Sequence, residues 1–254
     1  MRQYIEFERR NFISSFHTRT VLSGVVRFVS DSEEGSCILH HQFPRGASVA
    51  QVIEEQVESF KDLRKNFEWK VYATDEPATL GAELIKQGFT EGPVESFMVL
   101  DLRTAPAALF SPSAHHVRRI TDDAGVRDAV SVAERVWDEP MGDRIDALAT
   151  QLHRSPDSIS IYVVYADDNP VSSAWINFNP ASPFAGLWGG STLLGHRGQG
   201  CYRALLAERA REALARDVKF LTIDASPMSR PIVERFGFAW ITDTRPYEWR
   251  LRRR

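Results

Sequence analysis

The chain has 254 residues, 43% of them hydrophobic and 26% charged, with a formal net charge of −3. That length suits two compact units with real cores, and the near-balance of charge excludes the basic excess of a dedicated nucleic-acid binder. The first residues carry charge and no apolar run, no stretch has the length of a membrane span, and Cys37 and Cys201 are too far apart for a metal motif or a disulfide framework. A cytoplasmic protein with no membrane association and no metal is expected.

In chain order, the first strong pattern is a helix over residues 49–60. Val49, Val52, Ile53, Val57 and Phe60 form one apolar face. It follows Pro44-Arg45-Gly46-Ala47-Ser48. Residues 70–89 read as strand, polar turn, helix and Gly88-Phe89. Small residues with Pro106 and Pro112 then mark a linker. The expected organisation is a first lobe over 1–102, a linker over 103–115 and a second lobe over 116–254.

In the second lobe, residues 116–120 read as a strand, and 122–137 as a helix with Val126, Ala129, Val130 and Ala133 on one side. Residues 145–152 read as a second helix. Residues 159–166 and 171–178 form a hairpin around Asp167-Asp168-Asn169-Pro170. A strand over 184–194 leads into Gly195-His196-Arg197-Gly198-Gln199-Gly200-Cys201-Tyr202-Arg203 and an amphipathic helix over 201–216. A strand over 219–225, a polar turn from Ser226 to Ser229, a helix closing on Phe236-Gly237-Phe238 and a last strand complete the chain.

The glycine-rich junction before residue 201 has the makings of an anion cradle. The first turn of a helix presents N–H groups with no intrahelical partner, and the helix dipole adds positive potential there. Glycine lets the main chain approach a ligand closely. A pyrophosphate is the guest this chemistry suits.

The order strand, Arg-x-x-Gly-x, helix, strand, turn, helix, Gly-Phe, strand resembles the acetyl-coenzyme A half of the GNAT acetyltransferases over residues 116–254. Arg197 and Gly200 match the family loop, and Tyr202 stands where the family has a small residue. The resemblance implies an α/β (α+β) fold of two GNAT-like lobes, each a mixed, mostly antiparallel sheet flanked by helices. It also implies acetyl-coenzyme A as cofactor. The pantetheine arm would pair with the strand end through Thr192 and Leu194, and an N–H near Leu193 would face the thioester oxygen. The pyrophosphate would lie over Gly198, Gln199, Gly200, Cys201 and Tyr202, with Arg197 and Arg203 adding charge.

The remaining roles are less well marked. Many family members carry a tyrosine acid four residues before the glycine of Gly-Phe. Here that residue is Val233, so Ser229 is the candidate acid, with a helix cap as its other reading. Asp224 is the candidate base, with a structural role open. Asp138, Glu139 and Trp188 are candidates for the substrate side. The expected activity is transfer to a primary amine, on a small molecule or an exposed peptide. The alternative is a coenzyme A-binding sensor or interaction module without transfer.

The first lobe reads as a repeat of the second. A shift of 149 lays Lys70, Asp75, Gly88 and Phe89 on Lys219, Asp224, Gly237 and Phe238, and Arg103 on Arg252. Arg45-Gly46 stands where Arg197-Gly198 stands, but there is no second glycine, so the first copy is expected to bind no cofactor.

Overall fold

In the computed structural model, residues 1–32 and 35–251 are described. Arg252, one of the repeat matches, lies outside them. The chain forms two compact units. One comprises Met1–Met98, Asp224–Pro231 and Trp240–Arg254, and the other Val99–Ile223 and Ile232–Ala239. These divisions differ from the sequence expectation of 1–102, 103–115 and 116–254.

The first unit begins with α1 (Arg2–Tyr4) and a π-helical turn, Ile5–Arg10. Then come β1 (His17–Leu22), β2 (Val25–Ser30), β3 (Ser36–His41), α2 (Val49–Leu63), β4 (Phe67–Tyr72), α3 (Leu80–Lys86), β5 (Thr90–Glu91) and the start of β6 (Glu95–Asp101). The pairs β1–β2 and β2–β3 are antiparallel and β3–β4 is parallel. The chain's last strand, β12 (Ala239–Trp249), pairs antiparallel with β4, Tyr247 opposite Trp69 and Trp249 opposite Phe67. Packing decides that partner. Tyr247 and Trp249 are buried in one core with Phe60, Phe67, Trp69 and Phe89, and each such side chain contributes roughly 1.5–3 kcal/mol by burial. Tyr247 is thus a core residue.

The second unit contains β7 (Val117–Ile120), α4 (Asp123–Trp137), α5 (Gly142–Arg154), β8 (Ile159–Ala166), β9 (Asn169–Phe178), β10 (Phe184–Thr192), α6 (Cys201–Ala215) and β11 (Phe220–Ala225). The pairs β7–β8, β8–β9 and β9–β10 are antiparallel, and β10–β11 is parallel. The short helix α7 (Arg230–Glu234) precedes the Gly237-Phe238 turn. Both units are therefore mixed, mostly antiparallel sheets flanked by helices. Asp122 caps α4 by accepting from the Gly125 N–H at 2.8 Å.

The expected linker is not a free spacer. Residues Leu102–Thr104 and Ala107–Phe110 form 3-10 turns, and Leu109 is fully buried. Main-chain carbonyls of Phe110, Ser111 and Pro112 accept from Arg211 and Arg203 on α6.

The order strand, helix, strand, helix, Gly-Phe, strand occurs twice along the chain, from β3 to β5 and from β10 to β12, and each time its first two strands pair in parallel, although β12 itself belongs to the first unit. The ungapped shift of 149 does not hold through them. Helix and strand repeat at 153, with Val52 on Leu205 and Phe67 on Phe220, while Gly88-Phe89 and Gly237-Phe238 repeat at 149. The first unit is four residues longer between strand and Gly-Phe. Lys70 therefore sits within β4 and Lys219 outside β11, while Asp75 lies in a turn and Asp224 lies in β11.

That turn is held by charge. Asp75 accepts a bidentate pair from the buried Arg9 at 2.7 and 2.8 Å and the Tyr72 N–H at 3.0 Å. Beside it, His41 Nδ1 accepts from Trp69 Nε1 at 3.3 Å, which requires a neutral ring protonated on Nε2. Burial pushes His41 down to about 4, with Arg9 and His40 acting in the same sense and Asp75 against them. A histidine held neutral contributes stability that is complete above its unfolded pKa, about 6.5, and is lost as pH falls toward 4. The expected loss is about 3 kcal/mol. Denaturant titrations of the wild type and His41→Asn from pH 7 to 4 check this. The wild type loses that amount relative to the variant, and parallel curves would contradict the assignment.

Candidate functional site

The site is built on the place where β10 and β11 part. Their parallel pairing covers only Phe184–Phe220, Ala185–Leu221 and Gly186–Thr222. Toward its end β10 bulges. Its register against β9 shifts between Trp188 and Ser191, so Gly189 and Gly190 together face one residue of β9. Gly189 has φ +63°, and a Cβ there would stand 1.8 Å from the Trp175 ring, so glycine is required twice over.

After β10 the chain makes a 3-10 turn, Leu194–His196, and enters the cradle. Arg197 Nε donates to the Thr192 carbonyl at 3.0 Å and Gln199 Nε2 to the Gly195 carbonyl at 2.9 Å, which closes the loop on itself. Gly198 has φ +72° and Gly200 φ +91°. Gly200 is the N-cap of α6 and no side chain caps the helix. A Cβ at Gly198 would meet nothing within 4 Å, and one at Gly200 only the His115 ring, at 3.7 Å. The first turn of α6 therefore opens on a space that main-chain donors face, which fits a phosphate-bearing cofactor.

The first unit offers a contrast. Gly46 is also left-handed, at φ +83°. The N-cap of α2, however, is Ser48, whose hydroxyl accepts from the Gln51 N–H at 3.3 Å. The end of that helix is already filled by its own side chain.

Several residues sit differently from expectation. The Leu193 N–H donates to the Val171 carbonyl of β9 at 3.0 Å, so it is committed and cannot serve a thioester oxygen. Donors alternate across an antiparallel ladder, so the Thr192 N–H belongs to the opposite edge, while Leu194 has left the ladder for the 3-10 turn. Leu194 itself is 80% exposed. Arg203 turns its guanidinium to the Ser111 and Pro112 carbonyls at 2.9 and 3.2 Å, so it braces the preceding segment instead of charging the cradle. Cys201 is buried, and burial pushes its thiol pKa up. The helix α6 is not simply amphipathic, because Arg209 is buried among Leu205, Leu206 and Ala210.

Ser229 donates its hydroxyl to the Ser226 carbonyl at 3.3 Å and lies 3.1 Å from the Ser226 hydroxyl, so it belongs to the turn before α7. Val233 is wholly buried. In the first unit, Asp224 accepts from Lys70 Nζ at 2.8 Å, and Glu95 shares that ammonium at 3.2 Å. Asp224 is thus a carboxylate with a standing ion partner, although its buried Oδ1 has no hydrogen bond among the described residues. Asp138 is exposed in the left-handed C-cap of α4, Glu139 follows it, also exposed, and Trp188 is half exposed on β10.

Two residues escaped the sequence reading. His115 Nε2 meets the Gln199 carbonyl at 2.7 Å at the lip of the cradle, from 84 residues upstream. Arg209 is the other. Neither lies in a motif, and only long-range packing reveals them.

No family model matches the chain, and no curated protein matches it. Solved structures do. An N-acetyltransferase related to GCN5 from Kribbella flavida is similar over 91% of this chain and 89% of its own, at 17% identity and a TM-score of 0.69. A tandem GNAT protein from the clavulanic acid biosynthesis pathway is similar over 94% and 84%, at 15% identity and a TM-score of 0.60. A related N-acetyltransferase from Sphaerobacter thermophilus is similar over 92% and 82%, at 14% identity and a TM-score of 0.58. The fold of this chain is that of the GNAT acetyltransferases. Among the described residues, no helix is long and apolar enough to cross a membrane.

Proposed function

We propose that the chain is an acyl-coenzyme A-dependent N-acyltransferase, with acetyl-coenzyme A as donor and a primary amine as acceptor. The observation that carries this reading is the uncapped first turn of α6 behind two left-handed glycines. The donors available to a pyrophosphate are the N–H groups of Gly198, Gln199, Gly200, Cys201 and Tyr202. Arg197 holds the loop to the end of β10 and adds charge. The edge of β10 turned away from β9, ending at Thr192, suits an extended pantetheine arm. The cofactor supplies an activated thioester when bound. Ser48, which caps α2 from within, supports the view that the first unit holds no cofactor.

Asp224 and Ser229 are weaker candidates for proton transfer than their positions in sequence suggest. One is ion-paired and the other is spent in a turn. A water must then take the amine proton, or these groups must exchange partners when substrate arrives. The buried Val233 favours a second reading, a coenzyme A-binding module without transfer.

One experiment separates them. Coenzyme A affinity is measured by calorimetry, and thiol release from acetyl-coenzyme A is followed against polyamines, aminoglycosides, amino acids and peptide N-termini. The expected result is binding together with release driven by one amine class. Binding without release from any amine moves the chain to the second reading, and absence of binding defeats both.

A further inference from the structure

Arg209 is 1% exposed on α6. Its Nε donates to the Leu205 carbonyl at 3.1 Å and its Nη1 to the Trp175 carbonyl of β9 at 3.3 Å, while Nη2 has no hydrogen-bond partner among the described residues. A buried guanidinium costs several kcal/mol of desolvation, and an apolar side chain of similar length would fill the space without that cost. What offsets that cost is what the charge and the donors connect.

They connect the two ends of the cradle region. Tyr202 stands two turns before Arg209 on the same face of α6, where the guanidinium and the hydroxyl favour each other's charged forms, and it is the residue at which the loop departs from a small side chain. Its ring covers Gly190, where a Cβ would stand 2.9 Å from Cε2. Trp175, whose carbonyl Arg209 holds, packs on Gly189. Gly189 and Gly190 are the β10 bulge, and Tyr202 is in the first turn of α6. One side chain thus bonds the residue that packs on Gly189 and shares a helix face with the residue that covers Gly190.

We propose that Arg209 is a positioning residue: it ties the first turn of α6, through Tyr202, to the β10 bulge, through Trp175, and so sets the spacing between the phosphate end and the acyl end of the cofactor site. The spacing argument rests on the acyl-coenzyme A reading, whereas the tie itself rests on the fold alone.

The test uses the full chain with Arg209→Met, Arg209→Lys, Tyr202→Phe and the Met–Phe double variant. Val132→Ala, a buried truncation on α4, is the stability control. Amide exchange and coenzyme A calorimetry are the readouts. Arg209→Met is expected to speed exchange over residues 187–193 and 201–203 at least tenfold and to weaken coenzyme A binding at least tenfold. Tyr202→Phe moves both in the same direction, Arg209→Lys recovers part, and the double variant is no worse than Arg209→Met alone, because the two act as one unit. Val132→Ala lowers Tm and leaves both readouts in place. Unchanged exchange in a folded Arg209→Met chain, additive effects in the double variant, or the same changes in Val132→Ala would overturn the proposal. Should Arg209→Met fail to fold, Tyr202→Phe and Arg209→Lys decide it, and unchanged exchange in both overturns it. A wild type that binds no coenzyme A defeats the functional reading, while the exchange data still decide the tie.

Discussion

Gly200→Asp is expected to weaken coenzyme A binding at least a hundredfold while leaving the chain folded. Gly200 is the N-cap of α6 in a left-handed conformation, and the nearest atom to a Cβ there is in the His115 ring, at 3.7 Å. The backbone cost is moderate, because Asp is among the residues that tolerate this region. The electrostatic cost is large. A carboxylate about 4 Å from a phosphate charge is repelled by about 4 kcal/mol at an effective dielectric of 20. Even half of that, added to the displaced volume, exceeds the ~2.7 kcal/mol that a hundredfold represents. Calorimetry on a variant with an unchanged circular dichroism spectrum measures this. Affinity within threefold of the wild type would remove the cradle from the binding site. The matching change in the first unit, Gly46→Asp, is expected to leave affinity alone, because Ser48 already fills that helix end.

Gly189→Ala should destabilise the second unit by about 3 kcal/mol, from two additive causes. The φ of +63° is unfavourable for any residue with a Cβ. The new methyl also falls 1.8 Å from Trp175 Cζ3 and 2.1 Å from Cη2. The indole cannot swing aside cheaply, because Trp175 is only 7% exposed and packs in one core with Ile161, Val163 and Val130. Overpacking of this kind costs about 1–3 kcal/mol, and the strained backbone adds about 1–3 kcal/mol. Chemical denaturation read through tryptophan fluorescence gives the loss. A companion variant, Gly195→Ala, is expected to stay within about 0.5 kcal/mol of the wild type, since a Cβ there meets nothing within 4 Å. Equal stability of the two variants would mean that the bulge is not held as described.

Features that depend on near neighbours are legible in the sequence. The loop from Gly195 to Arg203 is legible because a strand end, two left-handed glycines and a helix start are consecutive, and φ preferences act within a residue or two. The helix faces of α2 and α4 and the order of elements in each unit follow from 3.6 and 2 periodicity. The repeated order was legible too, although its register was not. Four extra residues in one connection are invisible to an ungapped comparison, so Asp75 and Asp224 looked equivalent when one sits in a turn and the other in a strand.

Tertiary structure decided everything that depends on which strand lies beside which. Alternating apolar residues in β12 say that it has a buried face and nothing about its neighbour, and packing against Phe67 and Trp69 selects β4. The side to which the Leu193 N–H points depends on its ladder with β9, which no local pattern encodes. Lys70 finds Asp224 across 154 residues, and that ion pair takes up the carboxylate that the sequence offered as a base. An amphipathic helix over 201–216 would turn its charged residues outward, yet Arg209 is interior. It is buried because α6 is covered on more than one side, and a lone charge among leucines and alanines can be recognised as interior only when the groups that accept its protons, Leu205 and Trp175, are in place.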